Sequence, residues 1–301
     1  MLNEIADICV PQFRNSKKSA MKKNIFVLML LVTVLFNYNH SLANSDYQFV
    51  EADKAKAKEL FKARDNKEKL EECISVLEGI AKKDSETFVM LAKAYYFRAE
   101  FEDEKSAKMA VYDKGVKYGE MAMNTIEGFV GTEVKKKEEA EGVKKITKEN
   151  MDALYWTAAN IARWTKFAPF AKKVAAKARV RYYWDRVFEL DPNYNYGGAY
   201  RFFGGYFGLV PSITGDNDPA KSKEMFDKGL EIAPNYLDTK VLYAEAYAAH
   251  GAVKDRELFN KLLDEVINAD ISQWPEIKPE NWFAQEKAKK LKEQETDLFD
   301  D

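Results

Sequence analysis

Two closing segments decide the fold: DRVFELDPNY at residues 185–194 and MFDKGLEIAPNY at residues 225–236. Each closes the same spacing of an aromatic, a smaller apolar residue and a proline: Trp184, just before the first segment, with Val187 and Pro192, and Phe226, Gly229 and Pro234 in the second. A proline cannot continue a helix, so each segment reads as a helix that ends at a fixed point. The smaller residue lets a partner helix approach closely, while the aromatic fills the gap to the neighbouring pair. Tyr243, Ala244 and Tyr247 then open a following unit, and Phe88, Leu91, Ala92 and Tyr95 show the same opening pattern upstream.

Working outward, the chain from Tyr47 onward repeats apolar residues at three- and four-residue steps, with no alternating run that suggests a strand. The pattern predicts helix pairs at 47–64 with 67–82, 85–102 with 105–126, 150–167 with 169–190, 197–209 with 219–232, and 235–250 with 254–268. A last helix is predicted at 282–297, after a link punctuated by Pro275 and Pro279. Consecutive helix pairs of about 34 residues are the signature of tetratricopeptide (TPR) repeats. The expected fold is all-α: a TPR-like helical-hairpin solenoid of about eleven helices in four or five units. Pro192 and Pro234 stand further apart than one unit, and the surplus falls at Leu209 to Asp218. The stretch from Gly131 to Asn150 breaks the period. Its mixed lysines and glutamates read as a solvated loop or exposed helix, with a basic contact patch as the sharper alternative.

Composition limits the function classes. Hydrophobic residues make up 46% of the 301 residues and aromatics 13%, enough for a packed core. With 47 basic against 49 acidic residues, no net basic face is available for nucleic acid. Two cysteines and two histidines leave little for a metal cage, and neither metal nor cofactor is expected. Cys73, in LEECISVLEGI, stands at a helical core spacing and reads as a buried structural thiol.

Residues 1–43 read as a signal region. Lys22 and Lys23 precede an apolar run from Ile25 to Phe36, and Ser41-Leu42-Ala43 supplies small residues for cleavage after Ala43. The run is short of the ~20 apolar residues a spanning helix needs, although an uncleaved anchor is the alternative. Met21 opens a conventional leader, so residues 1–20 read as an over-long start and 21–43 as the leader proper. The expected product is a helical domain at 44–301, soluble in the periplasm.

Two stretches go beyond a generic repeat: DALYWTAANIARW at 152–164 and DPNYNYGGAYRFFGG at 191–205, the latter continuing through Pro211-Ser212 to Glu245. Together they resemble the TatT family, the TPR component associated with TRAP transporters, over roughly residues 50–295. The resemblance implies a periplasmic accessory that docks a TRAP-type substrate-binding protein and offers an apolar cavity to a hydrophobic or amphipathic ligand. It also implies a homo-oligomer, a trimer in the family pattern. No cysteine stands near the cleavage site, which departs from the lipoprotein members. An unrelated periplasmic TPR adaptor for envelope assembly is the alternative.

Catalytic signatures are absent from the sequence. There is no G-x-S-x-G, and beyond the leader only His250 remains, beside Gly251, where it reads as a helix-end residue. In the stretch from Thr214 to Pro219, counting from Asp216 puts Lys221 and Asp227 where a calcium loop needs Gly and Glu. Asp218 capping a helix at Pro219 explains that stretch instead. No enzyme is expected. The candidate ligand or partner contacts are Tyr155, Trp156, Arg163, Trp164, Tyr196, Arg201, Phe203, Tyr206, Tyr243 and Glu245, drawn from the densest aromatic region. Arg163, Arg179, Arg181 and Arg201 stand among these aromatics to meet an acidic head group, with ion pairs to Asp185, Glu189 or Asp191 as the structural alternative. Glu245 stands alone among apolar neighbours and calls for a partner. Gly197, Gly198, Gly204 and Gly205 each weaken a helix by ~1 kcal/mol relative to Ala, so close packing or room for a ligand must account for them.

Overall fold

The computed structural model describes residues 48–129 and 136–300. Of the first compact unit, Met1–Asp53, residues 48–53 are described and are helical. The signal region at 1–43 lies outside the described residues, as do Gly131 and Lys135. The second unit is Lys54–Asp301.

Among the described residues there is no strand. The unit runs α1 (54–62), α2 (Lys67–Gly79), α3 (Ser85–Glu100), α4 (Lys105–Met123), α5 (Lys136–Lys144), α6 (Met151–Phe167) and α7 (Phe170–Leu190). It continues α8 (Tyr194–Leu209), α9 (Pro219–Ile232), α10 (Asp238–Tyr243) with a π-helical turn at Ala244–Ala248, α11 (Arg256–Ile267), α12 (Lys278–Lys292) and α13 (Glu295–Phe299). Consecutive helices pack as hairpins, α3 on α4, α6 on α7, α8 on α9 and α11 on α12, in an all-α, solenoid-like array. Local capping sets many of the starts. Asp84 accepts from the Thr87 N–H at 2.9 Å, Asp255 from the Leu258 N–H at 2.9 Å, and Asp218 from the Lys221 N–H at 3.1 Å with Pro219 in the first turn.

Three local readings change. The last helix begins at Lys278 rather than 282 and breaks at Glu293–Gln294 before α13. Pro279 belongs to its first turn, where the missing N–H costs nothing, and does not sit in the preceding link. α8 begins at Tyr194 rather than 197, through a left-handed turn at Asn195 (φ 50°), Tyr196 (φ 59°) and Gly197 (φ 69°). The region after 131 is not simply solvated. α5 packs on α7, and Glu139 is only 1% exposed, with Val143 and Ile146 also buried. Glu139 accepts hydrogen bonds from Arg179 Nη2 at 2.7 Å, Tyr183 at 2.9 Å and Tyr182. The lone-pair count of a carboxylate is thereby well used, which is what makes its burial tolerable.

Other residues sit where the sequence puts them. Cys73 is fully buried with its Sγ directed at the Ala57 carbonyl, and burial pushes its thiol up to about 12. His250 lies just after the π-helical turn, its Nε2 at 3.2 Å from Asn217 Oδ1.

The α8 glycines divide by role. A Cβ at Gly204 would stand 2.7 Å from the Phe226 ring, and one at Gly208 would stand 2.1 Å from the Ala246 carbonyl oxygen. A Cβ at Gly205 would meet nothing within 4 Å. Packing therefore explains two of these glycines, and open space explains the third. Gly208→Ala is expected to lower stability by roughly 1–3 kcal/mol, because a backbone carbonyl cannot move aside. Gly205→Ala is expected to raise it by roughly 0.5–1 kcal/mol through helix propensity. Chemical denaturation of the two variants checks both, and equal shifts would contradict the assignment.

Candidate functional site

The side chains of α6, α7, α8 and α10 that face one another do not close completely. They leave a cavity of about 330 Å³, within the range of small-molecule sites. α6 and α8 run from its floor to its mouth, and α7 returns alongside.

The floor is polar and buried. Asp238, the first residue of α10, lies 3.3 Å from Arg163 Nη2 and 3.1 Å from Lys287 Nζ, with Arg201 Nε at 3.9 Å. Glu100, the last residue of α3, lies 3.4 Å from Lys287 and 3.9 Å from Arg163, and accepts from the Tyr112 hydroxyl at 2.6 Å. Asp238 sits at a helix N-terminus, where the macrodipole favours a carboxylate. Glu100 sits at a C-terminus, where the dipole opposes it, so its cations must do more. Burial alone would raise the Glu100 carboxyl, but Lys287, Arg163 and Lys108, with the Tyr112 hydrogen bond, hold it at about 2. Burial is likewise outweighed at Asp238, which Lys287, Arg163 and Arg201 hold well below the usual carboxylate range.

Arg201 also braces the left-handed turn. Its Nη1 donates to the Tyr196 carbonyl at 3.0 Å, and its Nη2 to the Asn195 carbonyl at 3.3 Å and the Tyr155 hydroxyl at 3.2 Å. The Tyr236 ring lies under the guanidinium at 4.2 Å and stacks on Tyr196 at 5.1 Å. A non-glycine residue in this region costs of order 1–3 kcal/mol, and these contacts hold Asn195 and Tyr196 there.

The walls are apolar: Trp156, Ala159, Val180, Trp184, Phe202 and Leu242 face the space, with Trp184 stacked on Phe202 at 4.3 Å. The mouth lies at the C-terminal ends of α6 and α8, between Lys166, Lys173 and Val174 on one side and Leu209, Val210 and Pro211 on the other. Lys177 fastens the two sides by donating to the Thr214 carbonyl and pairing with Asp216, each at 2.9 Å.

Five of the ten candidates line this cavity: Tyr155, Trp156, Arg163, Arg201 and Tyr206. Glu245 stands behind its rim, paired with Lys166 at 2.6 Å. Tyr196 and Phe203 lie beside the lining, Phe203 against Phe188 at 5.5 Å. Tyr243 lies in the core, stacked on Phe226 at 4.9 Å with its hydroxyl donating to Asp227. Trp164 does not line the cavity; the Lys172 ammonium lies 6.0 Å from its ring. Arg179 and Arg181 are engaged elsewhere, Arg179 by Glu139 and Glu120 and Arg181 by Asp185 at 3.1 Å.

The candidates did not include Lys173, Lys177, Val180, Trp184, Tyr236 or Asp238. A helical wheel of α7 could have found the first four, since 173, 177, 180 and 184 fall on one face. No local signal marks Asp238, because an acid in a first helical turn usually reads as dipole compensation. Among the described residues, no group of three or more His, Cys, Asp or Glu side chains is placed to hold a metal ion.

The floor makes a pH prediction. A carboxyl held below its unfolded value of 4.5 stabilises the fold at neutral pH, and that contribution is lost as pH falls from about 4.5 to about 2. Glu100→Gln is expected to cost roughly 3–5 kcal/mol at pH 7, because it leaves buried cations unpaired. Melting temperatures recorded from pH 7 to pH 2 should fall less steeply in the variant. Parallel acid limbs would show that Glu100 is not the titrating group.

No curated protein matches the chain. A family model described as TRAP transporter T-component matches residues 78–299, which takes in every helix that lines the cavity. The chain therefore belongs to the TRAP transporter T-component family.

Proposed function

We propose that this T-component is a periplasmic accessory that docks a TRAP-type solute-binding protein and holds a hydrophobic or amphipathic small molecule in the cavity between α6, α7, α8 and α10. The observation that carries the ligand part is the apolar wall of Trp156, Val180, Trp184, Phe202 and Leu242 around about 330 Å³ of space. A solenoid without a ligand gains by filling such space, since an unfilled cavity weakens a core in proportion to its volume. Family membership supports the accessory role in transport. The basic, apolar and small-residue order of Lys22 to Ala43 supports export and removal of residues 1–43. Assembly as a homo-oligomer, a trimer by resemblance, belongs to the same reading. Binding rather than catalysis suits a floor whose titratable groups are locked in mutual ion pairs.

The test is capture of the full chain, tagged at its C-terminus, from an envelope extract of its native organism, with mass spectrometry of what co-purifies. A TRAP-type solute-binding protein is the expected companion. Recovery of outer-membrane assembly factors without one would replace this reading with an envelope adaptor. N-terminal sequencing of the same sample is expected to begin at Asn44, and a start at Met1 or Met21 would overturn cleavage.

A further inference from the structure

The charges on the cavity floor do not balance. Linked by ion-pair contacts shorter than 4 Å stand three cations, Arg163, Arg201 and Lys287, and two carboxylates, Glu100 and Asp238. Arg201 and Asp238 are only 6% and 7% exposed. One positive charge is therefore uncompensated in a buried network, an arrangement that is costly unless an anion completes it. Lys108 also stands beside this network. Burial, with the Lys287 and Arg163 charges, depresses its ammonium against the pull of Glu100.

Donor capacity points the same way. Arg163 uses Nε on the Tyr96 hydroxyl and Nη2 on Asp238, while its Nη1 has no hydrogen-bond partner among the described residues. Arg163 and Arg201 both line the cavity, whereas Lys287 approaches the two carboxylates from α12.

The mouth has the opposite character. Phe170, Val174, Leu209 and Ile213 are 57%, 46%, 44% and 86% exposed, and they gather at the start of α7 and the end of α8. Val174 and Leu209 line the opening. Phe170 lies one turn before Val174 on the same helical face, and Ile213 sits in the loop that Lys177 fastens to α7. The lysines at the mouth can lay their apolar stems along a guest and keep their charge in water. From Arg201 on the floor to Leu209 at the mouth, α8 spans about 12 Å at 1.5 Å per residue, room for an extended chain between the two.

We infer that the cavity takes an amphipathic monoanion with a single carboxylate head and an aliphatic tail, head inward on Arg163 and Arg201 and tail outward past the apolar rim. This rests on the cavity being a ligand site and adds the charge and direction of what enters it. A head at the mouth would meet Lys173 instead and would leave both the floor charge and the exposed rim without a role.

Isothermal titration calorimetry of the full chain with decanoate and with decanol separates head from tail. Decanoate is expected to bind at least tenfold more tightly, a difference of about 1.4 kcal/mol. Arg163→Gln is expected to remove that preference while decanol binding persists. Lys173→Gln, a change at the mouth, is expected to leave it intact. Should Arg163→Gln lose its helical circular dichroism, Arg201→Gln replaces it, with decanol binding as the check on an intact cavity. Equal affinity for the two ligands in the parent chain would overturn the anionic head while leaving an apolar cavity standing. Loss of the preference in Lys173→Gln alone would overturn the inward direction. Binding of neither ligand would overturn this inference together with the ligand part of the proposed function.

Discussion

Five helices meet at one set of charges. Glu100 ends α3, Arg163 lies late in α6, Arg201 sits in α8, Asp238 begins α10 and Lys287 lies in α12. In water such pairs contribute little, but here the groups are removed from water and each depends on the others for solvation. The network therefore acts as a constraint more than as a source of stability. It sets where α3, α6, α10 and α12 stand relative to α8, and so fixes the floor on which the cavity rests.

The left-handed turn at Asn195–Gly197 depends on that constraint. Arg201 reaches back to two of its carbonyls, and Tyr155 and Tyr236 close around the guanidinium. In the aligned geometry of α8 that follows, Gly198 faces the Tyr155 ring, where a Cβ would come within 2.6 Å. The same segment thus carries backbone strain, a close helix approach and a buried cation within a few residues. Such clustering fits a site whose shape is held in advance, because preorganisation lowers the cost of ordering on binding.

The aromatics serve both core and cavity, and the neighbours of each ring sort them. Tyr243, Phe203 and Phe226 pack into helix contacts, whereas Trp156, Trp184 and Phe202 have a face left over. Gly205 opposite them adds no side chain, which preserves the space. The half-buried lysines at the mouth are mostly paired, Lys166 with Glu245 and Lys177 with Asp216, so the opening is held in shape by the charges around it.

The sequence alone determined most of the helices, the Asp218 cap, the closing prolines Pro192 and Pro234, the hairpin order and the family, because these depend on periodicity and on residues a few positions apart. It also singled out the aromatic- and arginine-rich region at 152–245, which supplies Tyr155, Trp156, Arg163, Arg201 and Tyr206 to the cavity lining. The rest depends on residues far apart in the chain. Glu139 reads locally as one more acid in a charged run, and its burial follows only when α5 meets Arg179, Tyr182 and Tyr183 of α7. Asp238 reads as a dipole-matched first-turn acid, and its role follows only when Arg163 and Lys287 arrive from α6 and α12. Periodicity reports which face of a helix is apolar, but the choice between filling a core and lining a cavity belongs to the opposing helices, whose distance no local pattern records.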